Sequence, residues 1–421
     1  MTTIIIVTFL LGYIAITFEN KIHIDKAASA LLTGVICWTI YILNIEEFKI
    51  VNDILLIKMG EISSILFFLL GAMTIVELID SHKGFDIIKS KITTTSFSKL
   101  LILIATISFF LSALLDNLTT AIVMTSLVSK LISDKEIKMY FASVIILTAN
   151  AGGAWSPLGD VTTTMLWIGG QITPLKIITS AFIPSLAVCI FPIYIISRKF
   201  KDKKLITKNL ESTKNKDSYI ILLTGIALLI LVPIFKTITH LPPFMGMLLA
   251  LGIMWIVISI IHFNKDIESK NKFSVSSALQ KIDTPSILFF LGILLSISAL
   301  ENVNVLEDIA HFLKSSLSND WSIGIALGLL SAILDNVPLV AASQSMFNLT
   351  TYPTDHYFWN FLALTTGTGG SIFIIGSAAG VAVMGLEQIN FGWYLKKIGW
   401  LALVGYLIGA IVFILQYNLF L

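Results

Sequence analysis

Two Asp-Asn pairs stand inside long apolar stretches, Asp116–Asn117 in FLSALLDNLTTA and Asp335–Asn336 in LLSAILDNVPLVA. A third carboxylate, Asp160, follows the glycines of TANAGGAWSPLGDVTTT. A carboxylate at the centre of a bilayer costs at least a few kcal/mol even on lenient insertion scales. Structural ion pairing could offset that cost, yet no Lys or Arg stands in the quoted stretches, and the sole arginine, Arg198, opens a basic loop. Carboxylates set among hydroxyls, amides and unwound carbonyls suit a hard cation. Ser112, Asn117 and Thr119 flank Asp116, while Asn150, Thr162, Thr163 and Thr164 surround Asp160. Any one of these hydroxyls could instead bond back to its own helix. Burial favours the neutral form of a carboxyl, so such a group holds a proton or a sodium ion but not readily both. Competition for it, with access alternating between the two sides, gives exchange of the two ions. The sodium site expected on this basis comprises Asp116, Asn117, Asp160 and Thr162.

The elements that must position these residues are membrane helices. Of the 421 residues 56% are hydrophobic and only 13% charged, against about 25% charged in a soluble domain. A formal net charge of +2, with the lysines in loops, offers no footprint for nucleic acid. Cys37 and Cys189 both lie in apolar runs and read as packing residues rather than a disulfide or thiolate site. A bilayer core of about 30 Å needs about 20 apolar residues as helix. Suitable runs fall at 4–18, 27–44, 60–80, 177–197, 219–236, 244–262, 285–300 and 400–420. The first lacks a basic n-region and a cleavage site, so it reads as an anchor helix rather than a signal peptide. Residues 100–130 and 321–349 are too long for one crossing and too short for two, which fits re-entrant hairpins with an Asp-Asn pair at each tip. Gly, Pro and Thr interrupt 139–170 and 358–385, which fits helices broken at the midplane, where irregular backbone must line a walled cavity.

Charge sets the orientation. With 198–217 in the cytoplasm, the loops 19–26, 81–99, 130–138, 198–217, 263–283 and 386–397 hold 23 of the 28 Lys and Arg, and both termini fall outside. The two halves also resemble one another. ILFFLLGAMT at 65–74 answers ILFFLGILLS at 287–296, and the Asp-Asn stretches and the Gly-Gly stretches follow in the same order. Because the charge count turns the halves opposite ways, this is an inverted-topology repeat, the architecture in which many secondary transporters build a midplane site. The expected fold is an all-α polytopic membrane protein of about ten transmembrane spans plus two re-entrant hairpins and two midplane-broken helices. Its parts are a first repeat at 1–197 with an inward-opening hairpin, a cytoplasmic basic linker at 198–218, and a second repeat at 219–421 with an outward-opening hairpin. The second half carries Gly367, Ser377, Ala379 and Gly380 where the first has Asn150, Asp160, Thr162 and Thr163. It offers only Asn336, Thr366, Thr368 and Ser371 around Asp335, so the dominant cation site is expected in the first half.

Other polar residues carry less. The six histidines fall in loops or at span ends and suit solvated positions or pH sensing, Glu77 and Asp80 can snorkel to the cytoplasm, and Trp155 packs or gates. No P-loop spacing or nucleotide-binding domain is legible, so neither an enzyme nor a primary pump is expected, and no cofactor is expected beyond the transported ions.

The strings SALLDNLTTAIV, TANAGGAWSPLGDVTTTMLW, SAILDNVPLVAA and TGTGGSIFIIGSAAGVAVMG resemble the NhaD-type sodium/proton antiporters, within the ion transporter superfamily that includes arsenite and dicarboxylate carriers. The resemblance runs from about 60 to 400. It implies efflux of Na+ or Li+ in exchange for H+ at the cytoplasmic (inner) cell membrane, in pH homeostasis, by a homodimer with a scaffold part and a moving part. It links to transport Ser112, Asp116, Asn117, Asn150, Asp160, Thr162, Thr163, Ser331, Asp335, Asn336 and Ser371. The alternative is a sodium-coupled symporter of a di- or tricarboxylate. Relatives of that kind carry neutral hairpin tips, whereas here an Asp stands at each, and like charges at 4 Å repel by about 1 kcal/mol even in water.

Overall fold

The computed structural model describes the chain except 18, 46, 86–95, 202–215, 318 and 421. Much of the basic linker at 198–218, and of the loop at 81–99, therefore lies outside the described residues. The described residues are almost wholly helical. Among the described residues, eight helices are long and apolar enough to cross a membrane: α2 (Lys26–Leu43), α3 (Phe48–Ser81), α4 (Phe97–Leu115), α8 (Pro174–Lys199), α9 (Lys216–Thr239), α10 (Pro243–Ile261), α11 (Thr284–Asn302) and the run Phe391–Leu419 that ends in α17 (Trp400–Phe420). Large apolar side chains stay exposed on their outer faces, among them Leu32, Leu43, Leu175, Ile238, Ile256 and Ile260. A surface this apolar belongs in lipid. The chain is a multi-pass membrane protein.

The remaining helices are shorter. The expected first span is α1 (Thr2–Thr17), only 16 residues. The span expected at 60–80 is the far longer α3, whose 34 residues extend about 51 Å at 1.5 Å each. Its added N-terminal turns include Lys58, whose Nζ lies 3.0 Å from Glu301 of α11. At 100–130 stand α4 and α5 (Asn117–Leu131), divided at Asp116. At 139–170 stand α6 (Lys135–Gly153) and α7 (Val161–Ile168), divided by the loop 154–160. After α12 (Val305–Ser316), α13 (Asp320–Leu330) and α14 (Asn336–Met346) flank a break at 331–335. Finally α15 (Tyr357–Gly369) and α16 (Ala378–Glu387) flank a break at 370–377. Short helices at Glu19–Ile22, Ile267–Lys272 and Val275–Lys281 join the spans.

These breaks have local causes. Gly152, Gly153, Pro157 and Gly159 interrupt the first broken helix, and Gly369, Gly370 and Gly376 the second. Close packing holds the fragments in place. A Cβ at Gly152 would fall 2.2 Å from the Phe109 carbonyl oxygen of α4, and one at Gly369 would fall 1.9 Å from the Gly328 oxygen of α13. Small residues are what let membrane helices approach this closely.

Candidate ion-binding site

The four breaks place helix N-termini around one region. Asp116, Asp160 and Asp335 are the N-cap residues of α5, α7 and α14, and Ala378 opens α16. All four residues line a single cavity of about 60 Å³. A helix N-terminus carries partial positive charge and unpaired N–H groups, which favour a carboxylate there. Asp116 accepts the Thr119 N–H at 2.8 Å and the Thr119 hydroxyl at 2.8 Å, and Asp160 accepts the Thr162 N–H at 3.1 Å. Asp116 holds φ at +88°, a value that L side chains rarely adopt, so its backbone is strained where the helix divides.

Asp160 is the hub. Its side chain accepts from Asn117 Nδ2 at 2.9 Å and from Asn336 Nδ2 at 3.1 Å. The two Asp-Asn tips, 219 residues apart in sequence, thus grip one carboxylate from either side. Asn117 Nδ2 also donates to Asn150 Oδ1 at 3.1 Å, and Asn150 in turn donates to the Ser371 and Ser377 hydroxyls, each at 2.9 Å. Asp160 and Asn336 are buried, as are Asn117, Asn150 and both serines. At Asp335 the backbone N–H donates to the Tyr13 hydroxyl at 3.2 Å, while its Oδ1 is enclosed with no hydrogen-bond partner. The Thr162 hydroxyl is likewise enclosed without one.

The same local geometry occurs twice. Ser112 donates its hydroxyl to the Ala149 oxygen at 2.6 Å, and Ser331 to the Thr366 oxygen at 2.8 Å. Asp160 and Ser377 cap α7 and α16 in nearly the same extended conformation, with φ of −146° at both.

Against known proteins the likeness is extensive. The chain is 42% identical over 418 residues to "Sodium/proton antiporter 1" of Arabidopsis thaliana, covering 98% of this chain and 72% of that one. With "Sodium/proton antiporter 2" of the same plant it shares 40%, covering 97% and 98%. The "Na(+)/H(+) antiporter NhaD" of Alkalimonas amylolytica is 28% identical over 92% of this chain and 84% of its own. The chain belongs to the NhaD-type sodium/proton antiporter family. Residues 13–369 also match the broader family model described as "CitMHS: Citrate transporter". Among solved structures, the YdaH transporter of Alcanivorax borkumensis superposes with a TM-score of 0.58 at 12% identity, covering 90% of each chain, a likeness of fold.

Of the polar positions singled out in the sequence, the structure brings Asp116, Asn117, Asp160, Asp335 and Asn336 to the cavity, with Thr119 and Thr164 beside them. Asn150 and Ser371 stand one layer behind, tied to Asn117. Ser112, Ser331 and Thr163 are occupied elsewhere: the two serines tether the broken helices, and the Thr163 hydroxyl donates to the Asp160 backbone oxygen at 2.9 Å. Both halves contribute to the network around Asp160. Asn336 of the second half bonds Asp160 directly, and Ser377, read as a departure from the carboxylate pattern, instead holds Asn150. Sequence reasoning also missed Lys26. Assigned to the loop 19–26, it opens α2 and lines the cavity, so the carboxylates do have a cationic neighbour. Its signal was slight, an Asp-Lys pair at the head of an apolar run.

Proposed function

We propose that this protein exchanges cytoplasmic Na+ (or Li+) for external H+ by alternating access, with Asp116 and Asp160 as the carboxylates for which the two ions compete. One observation carries this reading: three aspartates and two asparagines from separate broken elements converge on one small cavity in an apolar bundle. The carboxylates of the cavity and the Thr119 hydroxyl beside them are hard oxygen groups of the kind Na+ takes, and a carboxylate is also the natural holder of a proton at this depth. The printed names of the plant and bacterial relatives agree with it.

Access from one side fits the cavity walls. Met73, Val76, Leu118 and Thr119 are shared with a neighbouring cavity that Glu77, Asp80, Lys281 and Asp283 also line. By the lysine bias that neighbour faces the cytoplasm. The paired serine tethers and caps support reading 1–197 and 219–421 as inverted repeats joined by the cytoplasmic linker 198–218, with each Asp-Asn pair at a hairpin tip. A homodimer in the inner cell membrane completes the reading.

The match to a citrate-transporter family favours a second reading, sodium-coupled uptake of a tricarboxylate. The site weighs against it. Sites for organic ligands of drug size occupy about 300–1,000 Å³, against about 60 Å³ here. Two of the helix N-termini that would greet an anion, those of α5 and α7, are already capped by carboxylates. Collapse of a preset ΔpH in inverted vesicles decides between them, with Na+, Li+ and K+ scanned against pH and citrate added separately. Exchange predicts collapse on adding Na+ or Li+ without citrate; a strict citrate requirement would reverse the assignment.

A further inference from the structure

Helices α1 and α2 supply none of the hydrogen bonds around Asp160, yet each delivers one polar group to Asp335. The Tyr13 hydroxyl of α1 accepts the Asp335 backbone N–H. Lys26, the first residue of α2, lines the cavity beside Asp116, Asp160, Asp335 and Asn336, and it is the only Lys or Arg among the lining residues. Asp25 fixes the start of that helix by accepting the Ala27 N–H at 2.7 Å. The ammonium lies 5.0 Å from the Phe289 ring centroid, and Phe289 lines the same cavity as Asp335. Asp335 Oδ1 has no hydrogen-bond donor of its own.

We propose that Lys26 is a tethered cation that serves as the counter-charge of Asp335 and so restricts the cavity to one transported sodium at Asp116 and Asp160. The proposal rests on the exchange reading and adds to it a residue that sets how many ions, and how tightly, the site takes. An enclosed carboxylate is costly without a nearby positive charge. A lysine on a fixed helix supplies that charge and cannot leave. It also repels a mobile cation in the same cavity, more strongly than it would in water because the walls are apolar. Lys26 is a positioning residue here: it acts on sodium through Asp335 and through the field in the cavity.

Radiolabelled sodium binding to purified full-length protein tests this. In K26Q and K26M, Asp335 becomes available to a mobile cation, so sodium should bind at least about threefold tighter than in wild type, with saturation rising above that of wild type. K26R should restore wild-type binding. In K26Q/D335N the gain should vanish, because the carboxylate that Lys26 serves is gone. A lysine with a merely structural role would weaken binding when removed. If wild type binds sodium but K26Q and K26M bind it no better, or gain equally in the D335N background, the proposal is overturned and the exchange reading stands. If wild type binds no sodium at all, the exchange reading falls and takes the proposal with it.

Discussion

Asp160 accepts hydrogen bonds from α5, α7 and α14 at once, so its charge is worth more to this site than any single ligand contact. Asp160→Asn removes the charge and turns an acceptor pair into half a donor. It should reduce sodium-driven proton movement to the background of empty vesicles and abolish sodium binding, with membrane insertion unchanged by detergent extraction and gel filtration. Asp116→Asn should do the same, since Asp116 lines the cavity and carries its own strained backbone. Asp335→Asn should slow exchange yet leave measurable sodium binding, because Asp335 supplies none of the hydrogen bonds around Asp160 and shares the cavity with Lys26. Loss of binding in Asp335→Asn alone would reverse that order. These carboxylates were legible from sequence because charge in an apolar run is its own signal. The supporting serines were legible as polar positions but not as roles: Ser112 and Ser331 sit beside the Asp-Asn pairs in sequence, yet their hydroxyls point to backbone oxygens about 35 residues away. Spacing names neighbours along the chain and is silent on which way a side chain turns.

At the scale of elements, the contacts at Gly152 and Gly369 carry the heaviest consequence. Valine at either position would drive its Cβ into a facing carbonyl, and overpacking of this kind typically costs about 1–3 kcal/mol. Both variants should show lowered thermal midpoints by tryptophan fluorescence or by aggregation in detergent, with Gly→Ala milder than Gly→Val. A different element contact governs pH dependence. Just beyond the C-terminal ends of α3 and α10, the His82 and His262 rings meet at 3.0 Å between Nε2 atoms and lie against Phe273. Both are buried, contrary to the solvated positions expected of them. Burial pushes His82 down to about 4, and it also lowers His262. The unfolded chain, with histidine near 6.5, binds more protons than the folded one between those values. Stability from this contact is therefore complete above about pH 6.5 and is lost as pH falls toward 4. The thermal midpoint of wild type should drop on acidification through that window, and His82→Gln should flatten the drop. Broken elements were foreseeable from Gly and Pro, whereas the length of α3 was not. Its N-terminal turns contain Lys, Asn and Asp among apolar residues, and the pairing of Lys58 with Glu301 and the burial of Val51 hold them against the bundle.

For the whole molecule, the proposed exchange makes proton and sodium rivals at one address. As pH falls, protons fill the carboxylates, so the apparent KM for sodium should rise across the active range in inverted vesicles. A flat KM would mean that the two ions bind independently. The bridging of Asp160 by two asparagines from opposite halves has a further consequence, for slippage. While the carboxylate is bare, both amides clamp it across the seam, and the halves cannot part without stripping a buried anion of its donors. A bound proton or sodium ion weakens that anion and frees the amides. Under the proposed exchange, the empty carrier is the one form held still, and the loaded carrier, with either ion, is the form released to cross. An exchanger that never crosses empty cannot leak one ion downhill alone. Asn336→Ala, which removes one jaw of the clamp and leaves all three carboxylates, should accordingly let sodium run down its gradient with no matching proton flux.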